Sequence, residues 1–357
     1  MEKLNQTLFD NAKKMGFKDF TDIKKKSFDP ILSRKNVVAK SPTGTGKTAA
    51  FLLPILQLLI ENNKSKALII EPTRELVIQA SNESRKLSNN TSILVTAAYG
   101  GTPADRQIEL IKRGSRLVIG TPGRIIRLME LKSIELKEFD IFTLDEADRL
   151  MSEQFESKIS EIYKHIDNPK EQVLMYCVNI SPTTIKMAEK YYPNKDYQVI
   201  RANELNGSVI EHLVISTEKP ERELIKQIVP KQKIMVFCQT AFEAQKVAGL
   251  LKSANIYPAL LSSKIKSDDR QTAIKKFKEK TTNVLVCTDI GARGIHFDSV
   301  DKIISYRIPK NAQFYLHRAG RTGRMGRKGV CISIVDTKDL KALKEIYERL
   351  NIQFKYL

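Results

Sequence analysis

The sequence predicts an α/β protein built as two tandem domains, each a mostly parallel sheet with helices on both faces. Three observations predict this. Short β-branched runs alternate with longer helix-patterned stretches from one end of the chain to the other, the signature of parallel strands joined by covering helices. The runs are continuously apolar, as suits strands buried on both faces. The chain has 357 residues, enough for two domains with full cores.

Taken in order, the strand-like runs of the first half fall at residues 36–39, 67–70, 93–97, 117–120, 141–144 and 173–177. Helical patterns separate them, among them 74–87, 153–166 and one opening at Lys47. In the second half the runs fall at 213–216, 234–238, 259–261, 284–287, 302–305 and 330–335, and a last helix spans 338–350. The polar stretch RANELNGSV (201–209) carries Asn-Gly and no periodic apolar face, so it reads as a linker. The predicted organisation is a first domain over 1–203, a linker over 204–210 and a second domain over 211–357. No close internal repeat or low-complexity segment interrupts the series.

Charge separates the candidate partners. There are 60 Lys+Arg against 41 Asp+Glu, a net charge of +19. Such an excess favours a polyanionic partner, most often nucleic acid, although a lysine-rich surface kept for solubility gives the same balance. The longest apolar run, 49–60, is broken by Pro54 and Gln57 and is too short to span a bilayer. The N-terminal MEKLNQTLFD has no apolar signal core, so neither membrane nor export is expected. Cys177, Cys238, Cys287 and Cys331 stand singly in apolar runs, where cysteine acts as a small buried hydrophobe. Disulfides and cysteine-bound metal are not expected, and a reducing cytoplasm fits.

Two distant stretches read as halves of one site. SPTGTGKT (41–48) follows a strand run and opens a helix. A glycine-rich turn there presents backbone N–H groups to phosphate oxygens, and the helix N-terminus adds its positive end. Gly44 and Gly46 permit a turn that side chains would obstruct, and Thr43 and Thr45 are counted with it. Lys47 is placed to reach the β and γ phosphates of a nucleoside triphosphate, and the Thr48 hydroxyl to hold Mg²⁺. The first glycine of the usual pattern is Ser41 here.

Asp145 and Glu146 follow the run 141–144, at the strand end where ligands bind in such sheets. Asp145 is expected to hold Mg²⁺, and Glu146 to orient or deprotonate the attacking water. HRAGRTGR (317–324) carries three arginines suited to phosphate. Arg321 and Arg324, three apart, share a face if helical. An arginine finger on a γ-phosphate is worth ~10³–10⁵ in rate. A nucleic-acid-binding basic helix is the alternative; Gly320 and Gly323, which allow close backbone approach, favour the finger. More residues separate the two stretches than one domain usually holds. A nucleotide clamped between two domains is therefore expected, and a machine whose shape depends on ATP.

In chain order these residues resemble the DEAD-box RNA helicases of helicase superfamily 2, over nearly the whole chain. Beside SPTGTGKT and the DEAD tetrapeptide 145–148, the first half has PTREL (72–76), Gly100-Gly101 and TPGR (121–124). The second has VFCQT (236–240), Arg270, TDIGARGI (288–295) and HRAGRTGR. Each piece is short, and their joint order and spacing are specific. The resemblance implies two RecA-like domains that close on ATP and on a single RNA strand, with ATP and Mg²⁺ as cofactors. It implies nucleotide contacts from Phe17, Gly294 and His296, and RNA backbone contacts from Thr73, Arg74, Gly101, Thr121, Gly123, Arg124, Thr240, Arg270 and Thr288. Such contacts read phosphates and 2′-hydroxyls, not bases. Binding without sequence preference, steep salt dependence and local unwinding are the implied result.

Three departures from the family pattern fall on nucleotide sensing and coupling. Lys24 stands where the family has an adenine-reading glutamine, and a lysine lacks the paired donor and acceptor. Cys177-Val178-Asn179 replaces a Ser-Ala-Thr motif that links the ATP site to interdomain contacts. His296 replaces a ribose-contacting aspartate, with Asp298 two residues on. The expected activity is RNA-dependent ATP hydrolysis with local unwinding, slow and with relaxed base preference; the alternative is that the three changes are tolerated drift of no consequence. An ATP-gated RNA clamp with weak unwinding is the second reading, suggested by the altered Ser-Ala-Thr motif. A DNA-directed helicase is the third, disfavoured by the DEAD, TPGR and HRAGRTGR segments. Targeting is expected to come from protein partners or from the lysines of the second domain, with a monomer as the default.

Overall fold

The strands of the first half divide their side chains between two cores, one on each face of the sheet, as the two-residue period of an extended chain requires. In β2 (Ala67–Ile70), Ala67 and Ile69 join one apolar cluster while Leu68 and Ile70 join the other. In β4 (Leu117–Gly120), Leu117 and Ile119 face the first and Val118 the second. Two buried faces leave no position for a polar side chain, which is why these runs are apolar throughout.

The structure, a computed structural model, describes residues 4–17, 20–41, 46–166, 171–178, 180, 182–191, 196–202, 210–262, 265–292, 295, 297, 300–309, 311–323 and 328–357. The chain divides into two compact units, Met1–Glu204 and Leu205–Leu357. The first unit adds β1 (Val37–Lys40), β3 (Val95–Ala98), β5 (Ile141–Leu144), β6 (Gln172–Cys177) and β7 (Gln198–Arg201). Its seven strands lie in the order β3-β4-β2-β5-β6-β1-β7. Every pairing is parallel, so the carboxyl ends of β1, β2, β4, β5 and β6 share one edge of the sheet. The register sets Ile70 beside both Gly120 and Leu144, and Lys40 beside Cys177.

Helices α1 (Gln6–Lys14), α2 (Asp22–Leu32), α3 (Lys47–Glu61) and α4 (Arg74–Leu87) come before β3 in the chain. Then follow α5 (Asp105–Lys112), α6 (Pro122–Glu130), α7 (Ala147–Leu150), α8 (Glu153–Lys164) and α9 (Pro182–Tyr191). Helix α3 buries every residue from Ala49 to Leu59, so its apolar character runs all round.

The second unit repeats the plan. Strands β8 (Ile210–Ser216), β9 (Ile234–Cys238), β10 (Ala259–Leu261), β11 (Val284–Thr288), β12 (Lys302–Tyr306), β13 (Gly329–Val335) and β14 (Lys355–Tyr356) lie in the order β10-β11-β9-β12-β13-β8-β14, all parallel. Its helices are α10 (Pro220–Gln227), α11 (Ala241–Ser253), α12 (Ser267–Lys278), α13 (Asp289–Ala292), α14 (Ala312–Ala319) and α15 (Leu340–Arg349). Two apolar clusters again flank the sheet.

All twelve strand-like runs coincide with or overlap observed strands, within three residues at each end. The strands without a sequence forecast are β7 and β14, both at sheet edges and mostly exposed, where one-sided pairing imposes no apolar run. The polar stretch that begins at Arg201 starts inside β7, and Ile210 opens β8; residues 203–209 lie outside the described residues. The four cysteines are free and buried. Among the described residues no helix is long and apolar enough to cross a membrane.

Candidate functional site

At the carboxyl edge of the first sheet, β1 ends at Lys40 and the N–H of Ser41 donates to the carbonyl of Cys177, 3.0 Å away. Thr43, Gly44 and Thr45 lie outside the described residues. The chain is described again at Gly46, whose φ of 86° is left-handed and suits glycine. Lys47 opens α3, and Thr48 follows in its first turn, half-buried. The Lys47 Nζ is buried and has no hydrogen-bond partner among the described residues.

Asp145 caps the end of β5 and is 4% exposed. Its backbone N–H donates to Ile70 at 3.1 Å, and its Oδ1 accepts from the Glu146 N–H at 2.8 Å. Glu146 adopts φ 48° and ψ 46°, a left-handed conformation that non-glycine residues hold at a cost, often at functional sites. Its carboxylate lies 3.6 Å from Arg149. Burial raises the Asp145 carboxyl to about 6; Lys47 opposes that shift and Glu146 adds to it.

A residue without a forecast role joins this group. Glu71 ends β2, is 1% exposed, and has a side-chain oxygen without a hydrogen-bond partner among the described residues. Burial and the nearby Asp145 and Glu146 carboxyls hold its pKa well above the ordinary range, against the pull of Lys47. The signal in the sequence was a lone acid straight after the apolar run 67–70.

Phe17 packs, partly buried, against the first core. The Nζ of Lys24 stands 3.9 Å from the centroid of its ring. Lys24 also lies against Gly46, where a Cβ would meet its Cε at 3.1 Å and the Thr21 Oγ1 at 3.8 Å. Cys177 turns its Sγ to the Ala39 carbonyl, 3.4 Å away, and burial pushes its thiol up to about 12. Asn179 lies outside the described residues.

The polar residues at the ends of β2, β3 and β4 gather on the same edge. Thr73 caps α4, its hydroxyl accepting from the Leu76 N–H at 3.3 Å. Arg74 lies with its guanidinium 4.9 Å from the Tyr99 ring centroid, and its Nη1 is 3.2 Å from where a Cβ on Gly101 would sit. Thr121 caps α6 and holds the Ala98 carbonyl through its N–H at 2.9 Å. Arg124 donates to the Thr102 carbonyl at 2.7 Å. Around Gly123 a Cβ would meet nothing within 4 Å, so the backbone is open to a ligand.

In the second unit, Thr240 caps α11 by accepting from the Glu243 N–H at 3.1 Å. Gly291 brings two predicted residues together: its N–H donates to the Thr288 hydroxyl at 3.0 Å, and its carbonyl accepts from Arg270 at 2.8 Å. Arg321 donates to the Ile295 carbonyl. Gly294, His296, Asp298 and Arg324 lie outside the described residues.

Two sequence expectations for the arginine stretch need correction. The shared helical face of Arg321 and Arg324 does not hold, because α14 ends at Ala319 and Gly320 caps it. Gly323 itself is left-handed, at φ 66°, and Arg324 lies outside the described residues. Nor are all three arginines directed to phosphate. Arg318 is 0% exposed, and its Nε and Nη2 each donate at 2.7 Å to the Asp289 carboxylate.

A phosphate-loop helix, an acidic strand end beside its lysine, and a second parallel α/β unit with arginines together define a nucleoside-triphosphate-using enzyme of two such units. Comparison with known proteins makes this narrower. Residues 21–188 match the DEAD/DEAH box helicase family, and residues 219–326 match the helicase conserved C-terminal domain. A probable ATP-dependent RNA helicase of Methanocaldococcus jannaschii is 32% identical over 99% of this chain and 96% of its own length. The DEAD-box ATP-dependent RNA helicase RhpA of Helicobacter pylori is 31% identical over 99% of this chain and 72% of its own. The structure of Mss116p bound to single-stranded RNA and AMP-PNP superposes with a TM-score of 0.87 at 27% identity, covering 99% of this chain and 77% of that one. The chain belongs to the DEAD-box ATP-dependent RNA helicases, and its two units are tandem RecA-like domains.

Proposed function

We propose that the protein hydrolyses ATP with Mg²⁺ in response to single-stranded RNA, bound without sequence preference, and that it opens short RNA duplexes locally. The observation that carries this is the buried group at the carboxyl ends of β1, β2 and β5. There an ammonium with no hydrogen-bond partner among the described residues, Lys47, faces the crowded carboxyls of Glu71, Asp145 and Glu146. A magnesium triphosphate fits both needs, giving phosphate oxygens to the ammonium and a cation to the carboxyls. Thr48 and Asp145 are the groups that would hold Mg²⁺, which neutralises charge on the phosphates when bound. Among the described residues no cluster of three acids, histidines or cysteines would hold a metal alone. Mg²⁺ needs only one or two carboxylates beside substrate phosphates and water.

Within that reading Glu146 positions the attacking water and takes its proton. Lys47 binds the β and γ phosphates; Arg321 and Arg324 offset the charge that grows on the γ-phosphate. Thr43, Gly44, Thr45, Gly294 and His296 are retained as nucleotide contacts on the resemblance alone. Thr73, Arg74, Gly101, Thr121, Gly123 and Arg124 in the first unit, with Thr240, Arg270 and Thr288 in the second, are assigned to the RNA backbone. The open backbone at Gly123 and the strand-end threonines and arginines support this assignment, since such groups would meet phosphate and sugar, which carry no sequence information. A reducing cytoplasmic setting, a monomer and protein partners for targeting complete the proposal.

The clamp reading also has an observation in its favour. The Cys177 thiol is spent on the Ala39 carbonyl, inside the sheet. A side chain so placed is a poor relay from the ATP site. Strand release from a short RNA duplex, measured beside ATP hydrolysis in the same mixture, tests the proposal. ATP-dependent release supports unwinding. Hydrolysis and RNA retention without release would replace it with the clamp.

A further inference from the structure

Lys24 is a buried cation in an unusual place. It is 5% exposed, and the close contact of its ammonium is a ring face, with no carboxylate within ion-pair distance among the described residues. It rests on the face of Phe17, 3.9 Å from the ring centroid. Its Nζ is also 3.4 Å from where a Cβ on Gly46 would sit, so it borders the residue that enters α3. Burial lowers its pKa, and Glu83 is the charge that counteracts this. An ammonium resting on a ring face keeps N–H donors that a ligand acceptor can take up. Beside a phosphate-binding turn and an aromatic ring, the fitting ligand feature is an acceptor on a nucleotide.

The base edge decides which nucleotide. An ammonium offers three donors and no acceptor. Adenine presents an N7 acceptor beside an N6 amino donor, so one of its two groups opposes the lysine. Guanine presents N7 and O6, both acceptors, and is the base that lysine pairs with most readily. On the nucleotide site proposed above, we propose that Lys24 is a specificity-determining residue that makes this enzyme prefer 6-oxopurine nucleotides, such as guanine nucleotides, over adenine nucleotides. ATP remains a substrate, because its phosphate contacts are independent of the base. One matched contact set against one opposed contact corresponds to a preference of about tenfold.

An α-phosphate oxygen has the same acceptor chemistry and is the other source to distinguish. The test is equilibrium binding of GDP, IDP, ADP and pyrophosphate to the full chain and to Lys24→Gln, with thermal unfolding to confirm that the variant is folded. The wild-type ranking needs no variant. The expected result is GDP and IDP about tenfold tighter than ADP, with Lys24→Gln removing or inverting the ratio and leaving pyrophosphate unchanged. IDP lacks the 2-amino group, so its agreement with GDP locates the effect at O6. Equal or tighter ADP binding in the wild type would overturn the inference. So would an equal loss of ADP and GDP in the variant, which would assign the lysine to phosphate. If pyrophosphate and all three nucleotides fail to bind, the nucleotide site itself is wrong and the inference falls with it.

Discussion

Replacing Arg318 by methionine should destabilise the second unit strongly, although the residue sits in the same arginine-rich stretch as Arg321. Its guanidinium is wholly buried and donates twice at 2.7 Å to Asp289, whose side chain is 11% exposed. The Phe237 ring lies beneath, 5.4 Å from the guanidinium carbon. Methionine keeps most of the stem and its packing on Phe237, so the loss isolates the charge. Removing one partner of a buried pair leaves the other charge uncompensated and costs about 3–5 kcal/mol. The slight exposure of Asp289 argues for the lower half of that range. For a unit of this size that is a fall in Tm of roughly 10 °C. Urea and thermal unfolding followed by circular dichroism read it directly. Adding Asp289→Asn removes the stranded charge and should recover a substantial part of the loss, a coupling of ~1–3 kcal/mol. Arg318→Met unfolding at the wild-type midpoint would refute the buried-pair argument, as would an equal loss from Arg321→Met.

Other outcomes follow from the same geometry. Arg321→Met should leave the unfolding midpoint nearly unchanged and lower kcat for ATP by ~10³ or more, measured as phosphate release at saturating ATP and RNA. Arg74→Met should weaken RNA binding similarly for unrelated sequences and reduce the slope of log affinity against log salt by about 1, measured by fluorescence anisotropy. Glu171 is 9% exposed with a side-chain oxygen unpartnered among the described residues, and burial raises its carboxyl from 4.5 to about 8. The folded state therefore binds this proton more tightly than the unfolded state. The stability it contributes is fully present below about pH 4.5 and is lost as pH rises towards 8. Glu171→Gln should match the wild type at pH 4 and exceed it by about 1–2 kcal/mol at pH 8 in urea titrations, after allowance for partial exposure.

Much of this fold is legible in the sequence because a doubly covered parallel sheet demands apolar runs. Residues 67–70, 117–120 and 141–144 each coincide with a strand for that reason. Gln198–Arg201 and Lys355–Tyr356 are not legible, because an edge strand needs only one neighbour and tolerates charge. The phosphate-loop lysine and the acidic strand end stand out because their spacing and position are specific to the chemistry. The fate of individual charges does not stand out. Arg318 and Arg321 are three residues apart and look alike, yet one is locked to Asp289 and the other lies beyond the helix end. A three-residue spacing places Arg321 on a helical face only if the helix reaches it, and α14 stops at Ala319 with Gly320 as its cap. The burial of Lys24 and Glu71 depends on which helices and strand ends pack around them, and no local pattern encodes that.

The central claim is that Lys47, Asp145 and Glu146 form a hydrolytic site that answers to RNA. Steady-state ATP hydrolysis with and without single-stranded RNA, run beside Glu146→Gln, tests it most directly. The predicted result is strong stimulation by RNA that disappears in the variant. Hydrolysis no greater than that of Glu146→Gln, with RNA binding retained, would contradict it.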